Sequence, residues 1–175
     1  MKPLFFCLLA CVLAIPPFAQ AEQTNAAPPS PAKATLVLPA SAATVTAPLA
    51  LANGIISQPE RTELDEGGKA IFAFTITNAG DYLIKAVVDA PGEDANSFFL
   101  NIDAQPEDPL MIWDIDETSG FEERTVNWRG NGDPEPSTSQ FKPKTFTLSA
   151  GEHKLIIVGR EPMSLKTVSI EPAAK

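Results

Sequence analysis

The sequence predicts an all-β chain folded as an antiparallel β-sandwich or jelly roll. Three observations lead there. Apolar residues hold even-numbered positions through three successive segments: Ala70, Phe72, Phe74 and Ile76, then Tyr82, Ile84, Ala86 and Val88, then Phe98, Leu100 and Ile102. A strand sends alternate side chains to opposite faces, so shared parity describes three strands offering one apolar face to a common core. Turn-forming residues separate the segments at Asn78-Ala79-Gly80-Asp81 and Pro91-Gly92-Glu93-Asp94-Ala95, which reads as an antiparallel meander. Finally, no window of eleven or more residues carries a helical period, so alternating βα units are absent.

The elements follow in order. Residues 1–21 read as a signal peptide, with Lys2 as the positive start, an apolar run from Leu4 to Ile15 too short to span a bilayer, and Ala19-Gln20-Ala21 as a small-residue cleavage site. Leu8-Leu9-Ala10-Cys11 also resembles a lipoprotein cleavage box. The later cut near Ala21 is preferred, because the apolar region continues past Cys11. Residues 22–34 form a Pro/Ala-rich linker with Pro28, Pro29 and Pro31. Thr35-Leu36-Val37-Leu38, Thr44-Val45-Thr46 and Ile55-Ile56 are short β-prone runs, confined to edges or strand ends by Pro39 and Pro48. From Ala104 to Pro143 the pattern is irregular, with brief apolar runs at Leu110 to Ile115 and Thr125 to Trp128. Strands return at Thr145 to Leu148, His153 to Val158 and Leu165 to Ile170, so the folded domain is expected over residues 35–172.

Composition narrows the function. The chain has 22 acidic and 13 basic residues, a net charge of −9. Loss of Lys2 with the leader brings it to −10, a balance that repels nucleic acid and anionic headgroups. No second hydrophobic segment is long enough to cross a membrane. Both cysteines, Cys7 and Cys11, lie inside the leader. The mature protein is thus expected to have neither disulfide nor thiol chemistry, and to be secreted or periplasmic. The single histidine, His153, has no partner of its type, and it is read as structural.

Several motifs, in their order and spacing, resemble a family. Leu38-Pro39-Ala40-Ser41-Ala42-Ala43-Thr44-Val45 stands where that family has its first strand, while Ala79-Gly80-Asp81-Tyr82, Asn96-Ser97-Phe98-Phe99 and Ile102-Asp103 look like its central hairpins. Leu148-Ser149-Ala150-Gly151-Glu152-His153-Lys154-Leu155, with Gly159-Arg160-Glu161 and Leu165-Lys166, is similar to its closing hairpin. The chain from about Thr35 to Glu171 therefore resembles the β-jelly-roll carbohydrate-binding modules with a galactose-binding-like fold, closest to module families six and thirty-five. The resemblance implies a structural calcium held by first-strand acids and a last-strand aspartate. Pro39, Ser41 and Lys166 stand at those positions, so the calcium site is predicted lost and no cofactor is expected. Sugar-binding members also place an asparagine before the last strand, where this chain has Met163-Ser164.

Sugars are held by aromatic faces that stack on the ring and by polar groups aimed at hydroxyls. Trp113, Asn127, Trp128, Arg129, Asn131, Arg160, Glu161 and Ser164 form the candidate ligand-binding set on loops at one end of the sandwich. Packing of both indoles under the loops is the competing reading. Phe99 should point opposite Phe98, to the second face of its sheet. Asp114-Ile115-Asp116-Glu117-Thr118 matches the first motif of haloacid-dehalogenase-like phosphatases, and Gly132-Asp133 could pass for a later acidic motif. Those enzymes require a parallel sheet with crossover helices, which this sequence does not predict. No nucleophile machinery is legible, so the expected function is a secreted, non-catalytic carbohydrate-binding-like module whose partner is a polysaccharide or glycan. The alternative is a structural or protein-interaction sandwich of the bacterial cell envelope that has lost sugar binding.

Overall fold

The computed structural model describes residues 34–131 and 140–174. The signal peptide, both cysteines, all of the linker but Ala34, and Gly132-Asp133 lie outside the described residues. Twelve strands are described: β1 (Leu36–Pro39), β2 (Thr44–Val45), β3 (Ala50–Ala52), β4 (Ile55–Ser57), β5 (Lys69–Ile76), β6 (Gly80–Asp89), β7 (Ser97–Ile102), β8 (Ile112–Asp114), β9 (Glu122–Thr125), β10 (Thr145–Leu148), β11 (Gly151–Gly159) and β12 (Ser164–Pro172). They form two sheets, one in the order β10-β6-β12-β4-β3 with β1 beside β12 and β9 beside β6, the other in the order β2-β5-β11-β7-β8. Every pairing between these strands is antiparallel.

The parity expectation holds residue by residue. Ala70, Phe72, Phe74 and Ile76 of β5, Tyr82, Ile84, Ala86 and Val88 of β6, and Phe98 and Leu100 of β7 are buried in one core, with Ile102 packed at its margin. The meander is corrected. β5 and β7 lie in one sheet on either side of β11, whereas β6 lies in the other, beside β12. Alternation along a strand says which face is buried and nothing about which neighbour takes its backbone hydrogen bonds, so three strands can face one core from two layers. The closing hairpin is corrected for the same reason, since β10 pairs with β6 and β11 pairs with β5 and β7.

Two irregularities shape the sandwich. The register of β12 against β6 shifts between Leu165 and Thr167, so Lys166 is an extra residue that bulges outward and switches the buried parity from Leu165 to Val168 and Ile170. On the outer face of the second sheet, Phe99, Ile112, Ile156 and Val158 form a separate apolar cluster covered by Leu64. That arrangement places Phe99 opposite Phe98, as its parity requires.

A corner segment closes one side. β9 runs along β6, and Val126 N–H continues the ladder to the Ile84 carbonyl at 2.8 Å. The chain then changes sheets, with Arg129 N–H donating to Ile112 O at 2.7 Å and Gly130 N–H to Leu110 O at 3.0 Å. Residues 122–130 thereby join the two sheets, which is what positions Trp128.

Candidate functional site

The predicted site residues converge in part: Asn127 and Arg129 hold Asp114, whose strand partner Ser97 bonds Arg160 and Glu161, while Trp128 faces a separate cleft. Arg160 and Glu161 follow β11, and Ser164 opens β12 opposite Asp89, at one end of the sandwich. Trp128 sits along the side, where a cleft opens toward the other end, at which Tyr82 pairs with Pro172. Asn131 takes a left-handed backbone with φ of 42° and is half-buried at the limit of the described corner segment. Trp128 is thus separated from Asn127 and Arg129, its sequence neighbours, because the chain crosses between sheets at this point.

Trp113 has 0% exposure; its ring packs near Phe98 and its Nε1–H donates to Thr125 O at 3.2 Å. No face remains for a sugar. Asn127 is buried, accepting from Asp114 N–H at 3.1 Å and donating to Asp114 O at 2.6 Å, so its amide acts as a strand partner for the edge of β8. Arg129 grips the Asp114 carboxylate in a two-pronged contact, Nε to Oδ2 at 2.8 Å and Nη2 to Oδ1 at 2.6 Å. The Asp114 hydrogen bond is the main reason that the Arg129 pKa lies above its ordinary value. With Asp114 so occupied on an antiparallel strand, the phosphatase motif has no structural counterpart.

Glu161, 2% exposed, is a hub. Its Oε1 faces Arg61 at 3.2 Å and the Arg160 guanidinium, and its Oε2 accepts from Asn96 N–H at 3.1 Å and Ser97 Oγ at 2.5 Å. Arg160 also contacts Ser97 Oγ and lies 6.0 Å over Phe99. Arg124 and Lys166 lie elsewhere: Arg124 pairs with Glu122 at 2.8 Å and Lys166 stands 5.1 Å over the Phe121 ring.

The open concavity is built from other residues. A cleft of about 540 Å³ between the sheet edges is lined by Asn101, Asp103, Trp128, Lys144, Phe146 and His153, with backbone and hydroxyl groups of residues 145–149. Trp128 is 8% exposed, T-shaped against Phe146 at 5.5 Å, and anchored by its Nε1–H to Leu100 O at 2.8 Å. Lys144 Nζ lies 4.2 Å from the Trp128 ring centroid, a cation–π contact. Burial lowers the Lys144 pKa.

His153 forms the cleft's far wall. Its ring stacks on Phe74 at 5.6 Å, Nδ1 lies 2.6 Å from Asp103 Oδ2, and Nε2 lies 3.0 Å from Ser149 O. Asp103, with a left-handed φ of 59°, also accepts from Lys154 N–H at 2.7 Å. Burial opposes the charged imidazole, but the Asp103 hydrogen bond and the Ser149 carbonyl outweigh it, and the His153 pKa is raised above 6.5. Burial likewise opposes the Asp103 charge, yet the bonds from His153 and Lys154 take its pKa below 3.8. The structural reading of His153 missed that it borders this cleft; its place two residues before Leu155, on the same inward parity, was the available signal. Lys144 carried no signal, because nothing in the sequence shows which ring it will cover.

No protein-family model matches this chain, and no curated protein is significantly similar to it. Solved structures do match. The C-terminal CBM6 of LamC, a marine laminarinase from Zobellia galactanivorans, aligns over 79% of this chain and 99% of its own at 15% identity, with a TM-score of 0.54. A family 35 carbohydrate-binding module from Clostridium thermocellum aligns over 80% and 99% at 12% identity and a TM-score of 0.54. The fold is that of the carbohydrate-binding modules. The GH26-CBM35 β-(1,4)-mannanase from Podospora anserina also matches, at 14% identity and a TM-score of 0.55, and the chain spans 29% of that enzyme's length.

Within the carbohydrate-binding-module fold, the calcium position can be tested on donor chemistry. Pro39 pairs with Thr167, beside Lys166, so the topology brings the expected strand ends together. Proline offers no side-chain donor, the Lys166 ammonium is directed to Phe121, and Ser41 contributes one hydroxyl. Calcium takes six to eight oxygens, typically including carboxylates, so this set does not fit it.

Proposed function

We propose that this domain is a non-catalytic, glycan-binding module of a secreted or periplasmic protein, and that it receives its ligand in the cleft bounded by Trp128, Lys144 and His153. The observation that carries the reading is the likeness to the CBM6 and family 35 carbohydrate-binding modules, each aligned over 99% of the solved module. The cleft supports it with an aromatic edge, an amide at Asn101, a hydroxyl at Thr145 and a cation, the group types that meet sugar hydroxyls and ring faces. Arg160, Glu161 and Ser164 belong in this reading to the framework at the opposite end, and Trp113, Asn127 and Arg129 to the closure of the β8 edge.

Lys144 covers the Trp128 face, so a sugar stacking there must displace it. Affinity electrophoresis in mannan and laminarin, the glycan types named by the neighbours' parent enzymes, should retard the wild type. Trp128→Ala should abolish the retardation, and Lys144→Ala should change it. A folded wild type that no polysaccharide in a broad panel retards overturns the reading.

The burial of Trp113 and the internal bonding of Asn127, Arg129 and Glu161 favour a second reading, an envelope sandwich that binds protein instead of sugar. Absence of retardation together with unchanged melting of Lys144→Ala is the outcome expected of it.

A further inference from the structure

His153 is the chain's single histidine and is 8% exposed. Both ring nitrogens face acceptors: the Asp103 carboxylate at 2.6 Å and the Ser149 carbonyl at 3.0 Å. A neutral imidazole carries one N–H, so either tautomer would point a lone pair at an oxygen. Only the imidazolium donates to both. The two acceptors belong to different parts of the cleft wall, Asp103 at the end of β7 and Ser149 in the connection from β10 to β11, which crosses between sheets.

We infer that protonated His153 is a latch that ties the β10–β11 connection to the end of β7, so that the wall of the cleft loosens when the ring loses its proton. The groups facing it are few. Asp103 contacts it from β7, Phe74 stacks on it from β5, Glu152 and Lys154 flank it along β11 with their side chains exposed, and Lys144 lies across the cleft. Asp103 is the one carboxylate within hydrogen-bond distance among the described residues, and Lys154 reinforces it through its backbone N–H. Loss of the ring proton leaves one of the two bonds unmade and one acceptor facing a lone pair, with the aromatic stack unchanged. The latch deepens the glycan-site reading by supplying its regulation: a protonated ring holds the cleft formed, and a pH rise that removes the proton relaxes it.

The single histidine makes the test direct. Ring NMR of the wild type should show a titration midpoint above 6.5, and the backbone amides of Gly151 and Lys154 should move with the same midpoint. Asp103→Asn should lower that midpoint. Between pH 6 and 9 the melting temperature of the wild type should fall by roughly 3 °C relative to that of His153→Gln, on the scale expected for a domain of this size. A ring midpoint at or below 6.5, or amides at 149–154 that ignore the ring's titration, overturns the latch. If His153→Gln fails to fold, the wild-type NMR titration and Asp103→Asn still decide the matter. None of these measurements uses a sugar, so failure to bind polysaccharide overturns the functional reading alone.

Discussion

Buried tryptophans illustrate how one residue type serves two purposes. Trp113, at 0% exposure, fills the core beside Phe98 and ties the start of the corner segment through Thr125 O. Trp113→Ala should therefore cost about 3–5 kcal/mol, the usual range for removing a large buried aromatic, measured by denaturant unfolding with an unchanged m-value. A loss under about 1 kcal/mol would show that the ring is not core. Trp128 differs by its few per cent of exposed edge and by the Lys144 ammonium over its face. The residue types in the stretch Asn127-Trp128-Arg129 suggested ligand chemistry, yet Asn127 and Arg129 both bond Asp114. A side chain able to meet a sugar hydroxyl is equally able to meet a backbone edge, and only the positions of neighbours decide between them.

Among the elements, the start of β5 depends on absent side chains. A Cβ at Gly68 would lie 2.2 Å from Leu49 N and 2.4 Å from Thr46 O, backbone atoms that cannot rotate away. Gly68→Ala should separate the 46–49 segment from β5, where Thr46 N–H donates to Lys69 O at 2.8 Å, and lower stability by several kcal/mol. Thermal unfolding checks this; a melting point within 1 °C of wild type would show that the segment readily moves aside, since about 1 kcal/mol shifts a domain of this size by several degrees. Strand identity was largely legible at this scale because the 2.0 period is a local property. The short strands were less so: β9 covers Glu122–Thr125, while the apolar run that suggested it begins at Thr125. Its four residues, Glu122 to Thr125, are all polar and carry no apolar alternation, so its place is set by its pairing with β6.

For the whole molecule, charge and cation chemistry are the testable properties. Calcium or chelator should leave the melting temperature unchanged, because Pro39, Ser41 and Lys166 supply too few oxygens. A ligand that binds only the native state must raise its stability, so a rise of several degrees with calcium would refute the prediction. Stability linked to the latch has a defined pH window. The His153 pKa is raised, so its contribution is complete below 6.5 and lost as pH rises through the higher folded value. The Asp103 pKa is lowered, so its contribution is present above 3.8 and lost as pH falls through the lower folded value. Between those ordinary values, both groups support the fold. By itself the sequence determined the all-β class, the buried parity of β5, β6 and β7, and the resemblance to carbohydrate-binding modules, because alternation and turn residues act over a few positions. Tertiary structure alone decided that those strands divide between two sheets, that Trp128 parts from Asn127 and Arg129, and that Lys144, Asp103 and His153 meet Trp128 around one cleft. The physical reason is that sheet pairing and cleft formation join residues many positions apart, through hydrogen bonds and packing that carry no local period.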